Sequence, residues 1–325
     1  MADFTPQTPE EIRLERQIDN LLRDDMKVFI PFLEDDKVTD ISVPDSGELV
    51  VSKFGEGRIF TGIQVPSYIV ERILKATSSI LGRTIDFNSH LPILEGIIPK
   101  YNARITGLTR INCNRYELEI RKPSKIIYSL ENYVESKRMT ESQYEEIINT
   151  IQKRGNIIIS GTTGSGKTTM TNAIIKKMAE FTPKDNFLLI EDTLELQCDA
   201  IFKRNINIYK EDAHLAVEAA MRLSPDRIIF GEVRTGIVMR ALLDAWRTHS
   251  GNCTTMHATD GTSTLLRIKS MIGTEDIDMA NHLSEVIALI VHLKKGLNGP
   301  VVDELFHVND DTDDFLAGIV SNNLG

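Results

Sequence analysis

The segment Gly161-Thr162-Thr163-Gly164-Ser165-Gly166-Lys167-Thr168 constrains the fold more than any other stretch of this chain. It fills every fixed position of the phosphate-loop pattern G-x-x-x-x-G-K-[ST]. Ahead of it, Asn156-Ile157-Ile158-Ile159 is a β-branched run that reads as a buried strand. Behind it, Met170, Ala173, Ile174, Ile175 and Met178 keep helical spacing to about Phe181. A strand therefore feeds a glycine loop, and the loop opens a helix. Glycine lets the backbone curl until several N–H groups converge on one phosphate. The helix N-terminus adds the positive end of its dipole. Lys167 is placed to reach the β- and γ-phosphates, and the Thr168 hydroxyl to ligate Mg²⁺, with Thr169 at the same loop–helix junction. The segment predicts a bound nucleoside triphosphate and leaves its use open.

A chain of 325 residues has room for one large or two ordinary domains, and 41% hydrophobic with 26% charged residues supports a packed core. The formal net charge of −10 argues against general nucleic-acid binding, which needs a basic footprint. Cys113, Cys198 and Cys253 are scattered and odd in number, so reduced thiols in a cytoplasmic protein are expected. The first ten residues are polar and lack the apolar core of a signal peptide. Apolar runs such as Ile287-Ala288-Leu289-Ile290-Val291 are far shorter than the roughly 20 residues that span a bilayer. Any membrane contact is therefore expected to be peripheral.

Thr8-Pro9-Glu10-Glu11 reads as a capped helix start, followed by Leu14, Ile18, Leu21 and Leu22 on one face to about Asp24. Residues 38–64 alternate as a small antiparallel sheet with turns at Pro44-Asp45-Ser46-Gly47 and Gly55-Glu56-Gly57. A helix is predicted over 68–81, and further strands over 96–120, broken at Asn102 and Gly107. Pro123 ends this region, and a boundary near Ser124 gives an N-terminal α+β domain, 1–124. Residues 125–155 read as a connector and first helix of a second domain, 125–325. There, strands expected at 156–160, 187–190, 227–230, 253–257, 286–293 and 301–308 alternate with helices at 166–181, 213–223, 238–248 and 261–272. That alternation implies an α/β domain with a mainly parallel sheet, its last two strands antiparallel across a turn at 294–300. The acidic 309–314 stretch reads as a solvated tail.

Three further segments end predicted strands with polar residues. Glu191-Asp192-Thr193-Leu194-Glu195 places carboxylates where parallel sheets hold ligands. A magnesium–nucleotide site uses such carboxylates to orient water and accept a proton. Ile228-Ile229-Phe230-Gly231-Glu232 resembles a Walker B strand in which Gly231 replaces the usual aspartate and leaves Glu232 as the acid. Thr254-Thr255-Met256-His257 brings His257 out at a strand end, in position to sense a γ-phosphate.

With the phosphate loop, these segments make the chain resemble the secretion (traffic) ATPase superfamily. The match comprises the P-loop, an aspartate box at Glu191 to Glu195, the atypical Walker B element and a histidine box from His249 to His257. Within it the chain is most similar to hexameric type IV secretion ATPases of the conjugal-transfer, TrbB-like kind. Val38-Thr39-Asp40-Ile41, Leu94-Glu95-Gly96, Ile120-Arg121-Lys122-Pro123-Ser124 and Leu243-Asp244-Ala245-Trp246 carry that narrower resemblance. The resemblance implies an N-terminal α+β domain joined to a RecA-like P-loop ATPase domain, and a homohexamer that hydrolyses ATP with Mg²⁺. It implies that Glu232, Glu191, Glu195 and His257 serve catalysis, with Arg104 and Arg121 of the N-terminal domain reaching the phosphates and Arg234 binding nucleotide. A solvated role suits Arg83, Arg110 and Arg115 equally well. The partners implied are secretion or conjugation proteins, at the cytoplasmic face of the inner membrane. Cys198 and Cys253 cannot form the four-cysteine zinc module of type II secretion and pilus-extension ATPases. A pilus-retraction or tight-adherence ATPase is the alternative within the superfamily. A non-hydrolysing regulatory module is the alternative outside it, opposed by the intact carboxylates.

Overall fold

The computed structural model describes residues 13, 16, 18–53, 56–80, 93–108, 115–123, 128–208, 213–273, 283–296, 299–309 and 312. The chain divides into two compact units, Met1–Ile126 and Ile127–Gly325.

The first unit is built on a six-stranded antiparallel sheet in the order β3-β2-β1-β6-β5-β4. Its strands are β1 (Val38–Val43), β2 (Glu48–Lys53), β3 (Gly57–Gln64), β4 (Ile93–Ile98), β5 (Ala103–Leu108) and β6 (Glu117–Arg121). Period-two alternation sets its two faces. Ala103, Ile105, Leu118 and Ile120 are buried with Val70, Ile73 and Leu74 of helix α2 (Ser67–Ile80). Met26, Phe29 and Leu33, the last from the short helix α1 (Ile30–Glu34), join the same core. Arg104, Glu119 and Arg121 lie on the opposite face, which is not in that core. The expected helix start at Thr8 lies outside the described residues; residues 18–20 are helical and lead into a π-helical turn, Leu21–Asp25.

One sequence expectation fails here for a local reason. Gly107 does not break a strand but sits within β5, paired with Leu94 on one side and Leu118 on the other. A β-carbon there would collide with the Leu74 side chain of α2. The glycine admits a helix, and Asn102, with φ of 48°, makes the actual break.

The second unit holds a seven-stranded sheet in the order β13-β12-β7-β11-β10-β8-β9. Its strands are β7 (Ile157–Gly161), β8 (Asn186–Glu191), β9 (Phe202–Asn207), β10 (Arg227–Phe230), β11 (Cys253–Met256), β12 (Leu289–Gly296) and β13 (Gly299–His307). All neighbours run parallel except the β12–β13 hairpin. Ile157, Ile159, Phe187 and Leu189 pack under α4 (Glu141–Gln152) and α5 (Lys167–Phe181). Ile158, Leu188, Ile190 and Ile228 face the other way, onto α6 (Ala213–Ala220), α7 (Gly236–Thr248) and α8 (Gly261–Ile272). Both faces are covered, which is why the strands read as continuous apolar runs. Two elements are additional to the sequence reading: the edge strand β9 and α3 (Leu130–Glu135), whose Ser129 and Asn132 cap each other reciprocally.

Candidate active site

Strand order decides what meets the phosphate loop. The carboxyl ends of β7, β11, β10 and β8 lie side by side, and each releases one of the polar segments. The P-loop follows β7, His257 follows β11, Glu232 follows β10, and Glu191 ends β8. The loop itself turns on Gly164 and Gly166, with φ of 72° and 83°, and Gly166 is the N-cap of α5. Ser165 Oγ is buried without a hydrogen-bond partner, so the cradle holds an orphaned polar atom that a phosphate oxygen would satisfy. Converging N–H groups at a helix start, together with this hydroxyl, fit a polyphosphate.

Lys167 Nζ donates to Gly161 O at 3.1 Å and Thr162 O at 3.2 Å, and lies 3.2 Å from His257 Nδ1. An ammonium can only donate, so Nδ1 accepts and the imidazole proton sits on Nε2. That Nε2 lies 2.7 Å from Glu232 Oε1. Burial and the Lys167 charge push the His257 pKa down, against the opposing pull of Glu232, which keeps the ring neutral. The other Glu232 oxygen takes Arg234 Nε at 2.6 Å, and Arg234 Nη1 reaches Asp192 Oδ2 at 2.6 Å. Lys167, His257, Glu232, Arg234 and Asp192 thus form one hydrogen-bonded series from the phosphate loop across the strand ends.

The aspartate box has its own geometry. Glu191 Oε2 accepts the backbone N–H groups of Glu195 and Leu196 at 2.8 and 2.9 Å. The Glu191 side chain is spent on shaping the loop, and the loop delivers Glu195. Thr168 Oγ1 then donates to Glu195 Oε2 at 3.2 Å. A hydroxyl and a carboxylate at a helix start suit a hard divalent cation such as Mg²⁺, which needs few protein oxygens when phosphates supply the rest. Glycine at position 231 also finds its reason: a β-carbon there would sit 3.1 Å from Glu191 Cβ.

The structure brings Lys167, Thr168, Glu191, Glu195, Glu232, Arg234 and His257 together at the carboxyl ends of the interior strands. The two histidines of the histidine box part company. His249 binds Ala245 O and Thr248 Oγ1 at the end of α7, while His257 emerges at the far end of β11. Asp192 is a site residue whose pairing with Arg234 no sequence spacing announces. Arg104 and Arg121 belong to the first unit, directly opposite each other on β5 and β6, with Arg104 Nη2 3.1 Å from Glu95 Oε1. Arg115 turns inward, donating to Val65 O, while Arg83 and Arg110 lie outside the described residues.

Residues 92–304 match the family described as Type II/IV secretion system protein. The conjugal transfer protein TrbB of Rhizobium radiobacter is 34% identical over 302 residues, covering 91% of this chain and 90% of that protein. The type IV secretion system protein VirB11 of Brucella suis biovar 1 is 25% identical over 323 residues, covering 87% and 84%. Among solved structures, the pilus retraction motor PilT with bound ADP superposes with a TM-score of 0.66 at 16% identity, covering 91% of this chain and 87% of that one. With its phosphate loop, its strand-end carboxylates and this match, the chain belongs to the Type II/IV secretion system protein family and is an ATPase of that family.

Proposed function

We propose that this chain is the Mg²⁺-dependent ATPase that powers conjugative transfer through a type IV secretion apparatus, acting as a homohexamer at the cytoplasmic face of the inner membrane. One observation carries the hydrolytic part: the series Lys167–His257–Glu232–Arg234–Asp192 ties the phosphate-binding lysine to a strand-end carboxylate. The 34% identity to a conjugal transfer protein along 91% of the chain supports the biological setting. Pilus retraction, the alternative, rests on a likeness of fold alone.

Glu232 orients the attacking water in line with the γ-phosphorus and takes up its proton. Neutral His257, accepting from Lys167 and donating to Glu232, links occupancy of the phosphate site to the state of that base. Lys167 and the loop N–H groups stabilise charge on the transferring phosphoryl group. Thr168 would hold Mg²⁺, which when bound neutralises the β- and γ-oxygens. Glu191 positions Glu195 rather than meeting the nucleotide. Arg104 and Arg121 are proposed to add cations from the first unit. The two stand directly opposite in register, and Arg104 pairs with Glu95, so a phosphate would compete with that carboxylate for the guanidinium.

The test compares Lys167→Ala and Glu232→Gln with the native chain for phosphate release, nucleotide binding and circular dichroism. Lys167→Ala is expected to abolish turnover in a folded protein. Glu232→Gln is expected to bind ATP normally and lose turnover by about 10²–10⁴-fold, the span of a general base. Native turnover in folded Lys167→Ala removes the hydrolytic reading. Turnover that survives Glu232→Gln but not Glu195→Gln moves the base to Glu195.

A further inference from the structure

The β12–β13 hairpin meets the phosphate loop along its length. A β-carbon at Gly161 would lie 2.6 Å from Leu293 O, and one at Gly166 would collide with the Pro300 ring. Between these points, one at Gly164 would lie 3.1 Å from Lys295 Cε and 3.2 Å from Lys295 Nζ. The hairpin therefore lays a second ammonium against the middle glycine of the loop. Its neighbour Lys294 turns away, to Asp303 Oδ2 at 2.7 Å. Lys295 itself is exposed and makes no ion pair among the described residues. A lysine held beside backbone N–H groups that already attract anions adds like-signed potential there. That raises the local cost until an anion arrives. Lys295 stands against a loop whose natural occupant brings several negative charges.

We propose that Lys295 is a second phosphate-binding lysine, contributed to the loop by the β12–β13 hairpin and engaging the nucleotide polyphosphate beside Lys167. This rests on the nucleotide reading of the loop given above. It assigns the hairpin tip a part in binding that the strand-end motifs do not contain. An ammonium on a flexible stem contacts phosphate as a point charge and can follow it between di- and triphosphate. The contribution falls on binding, because an ammonium held against Gly164 has no lone pair with which to take a proton from water.

The experiment measures binding of fluorescent ADP and ATP analogues to the full chain, in EDTA and in Mg²⁺, for Lys295→Ala, Lys295→Met, Lys295→Arg and Lys294→Ala, with Lys167→Ala for reference. Lys295→Ala and Lys295→Met are expected to weaken triphosphate binding roughly five- to tenfold at low salt, the scale of one solvent-screened charged contact. The deficit should shrink as salt rises. Lys295→Arg should restore most of it, and Lys294→Ala should bind as the native chain does. Lys295→Met keeps the aliphatic stem against Gly164 and removes only the charge. Native affinity in Lys295→Met with a loss in Lys295→Ala would make the residue a packing element and overturn the proposal. Native affinity in both would overturn it too, while a loss in Lys167→Ala would leave the nucleotide site standing. If Lys167→Ala and the native chain bind alike, it is the nucleotide reading of the loop that fails.

Discussion

Glu191 and Glu232 are two carboxylates a few ångströms of sheet apart with opposite circumstances. Glu232 sits between two hydrogen-bond donors, His257 and Arg234. Glu191 is 4% exposed, and burial pushes its carboxyl up to about 7 from 4.5, outweighing the two backbone N–H groups that favour the charged form. A carboxyl with a folded pKa above its unfolded value holds its proton more tightly when folded. Its contribution to stability is complete below pH 4.5 and is lost as pH rises through about 7. Gln at 191 can still accept both N–H groups through its carbonyl oxygen and has no charge to bury. Glu191→Gln should therefore gain on the native chain as pH rises from 5 to 8, by on the order of 1–3 kcal/mol, with turnover largely kept. Denaturant titrations of both proteins at four pH values check this. A stability difference that does not change with pH would mean that Glu191 is charged throughout.

At the level of elements, what was legible in the sequence is what is local. The P-loop carries its strand, turn and helix within one contiguous stretch, and helix α8 and strand β10 appear at the residues their apolar spacing predicts. Strand β9 was not legible because it is an edge: Phe202 is exposed, residues 203–207 alternate between exposed and half-buried with none buried, and pairing with β8 alone defines the strand. The pairing of Asp192 and the placement of Lys295 escaped for another reason. Each acquires its role from a partner distant in sequence, Arg234 in one case and Gly164 in the other. Gly107 shows the same effect in reverse, since a residue that usually signals a break is here the floor on which α2 rests. Gly107→Ala should consequently push Leu74 off the sheet and destabilise the first unit by about 1–3 kcal/mol, the usual cost of overpacking. Pairing it with Leu74→Ala should recover part of the loss, because the methyl then enters the space that leucine vacates. The double-mutant cycle by chemical denaturation measures the coupling, and strict additivity would show that Leu74 is not the obstacle.

For the molecule as a whole, the proposed ring predicts that activity depends on assembly and on arginines outside the P-loop unit. Arg104 and Arg121 face each other in register on the open face of the first sheet, each on a strand whose alternate residues are buried. Neither can leave that face without turning Ile105 or Ile120 out of the core. Each guanidinium is a planar, permanently charged fork suited to phosphate oxygens, and the register puts two such side chains on neighbouring strands of one face. Arginines that act in this way are worth about 10³–10⁵ in phosphoryl-transfer rate. Each single loss should be smaller here, because the partner arginine remains. Arg121→Ala should reduce turnover by about 10–100-fold, within that shared allowance. It should also weaken ATP more than ADP, since the γ-phosphate is the group the guanidinium would hold. Arg121→Lys should rescue in part, a point charge replacing the fork. Light scattering with nucleotide should give a hexamer for the native chain and for both variants, which separates a weakened phosphate site from a broken ring. Full turnover by a species that scatters as a monomer would remove the ring. Normal turnover and normal ATP preference in both Arg104→Ala and Arg121→Ala would confine the active site to the P-loop unit, and the stroke would then need a source other than closure of the first unit on the nucleotide.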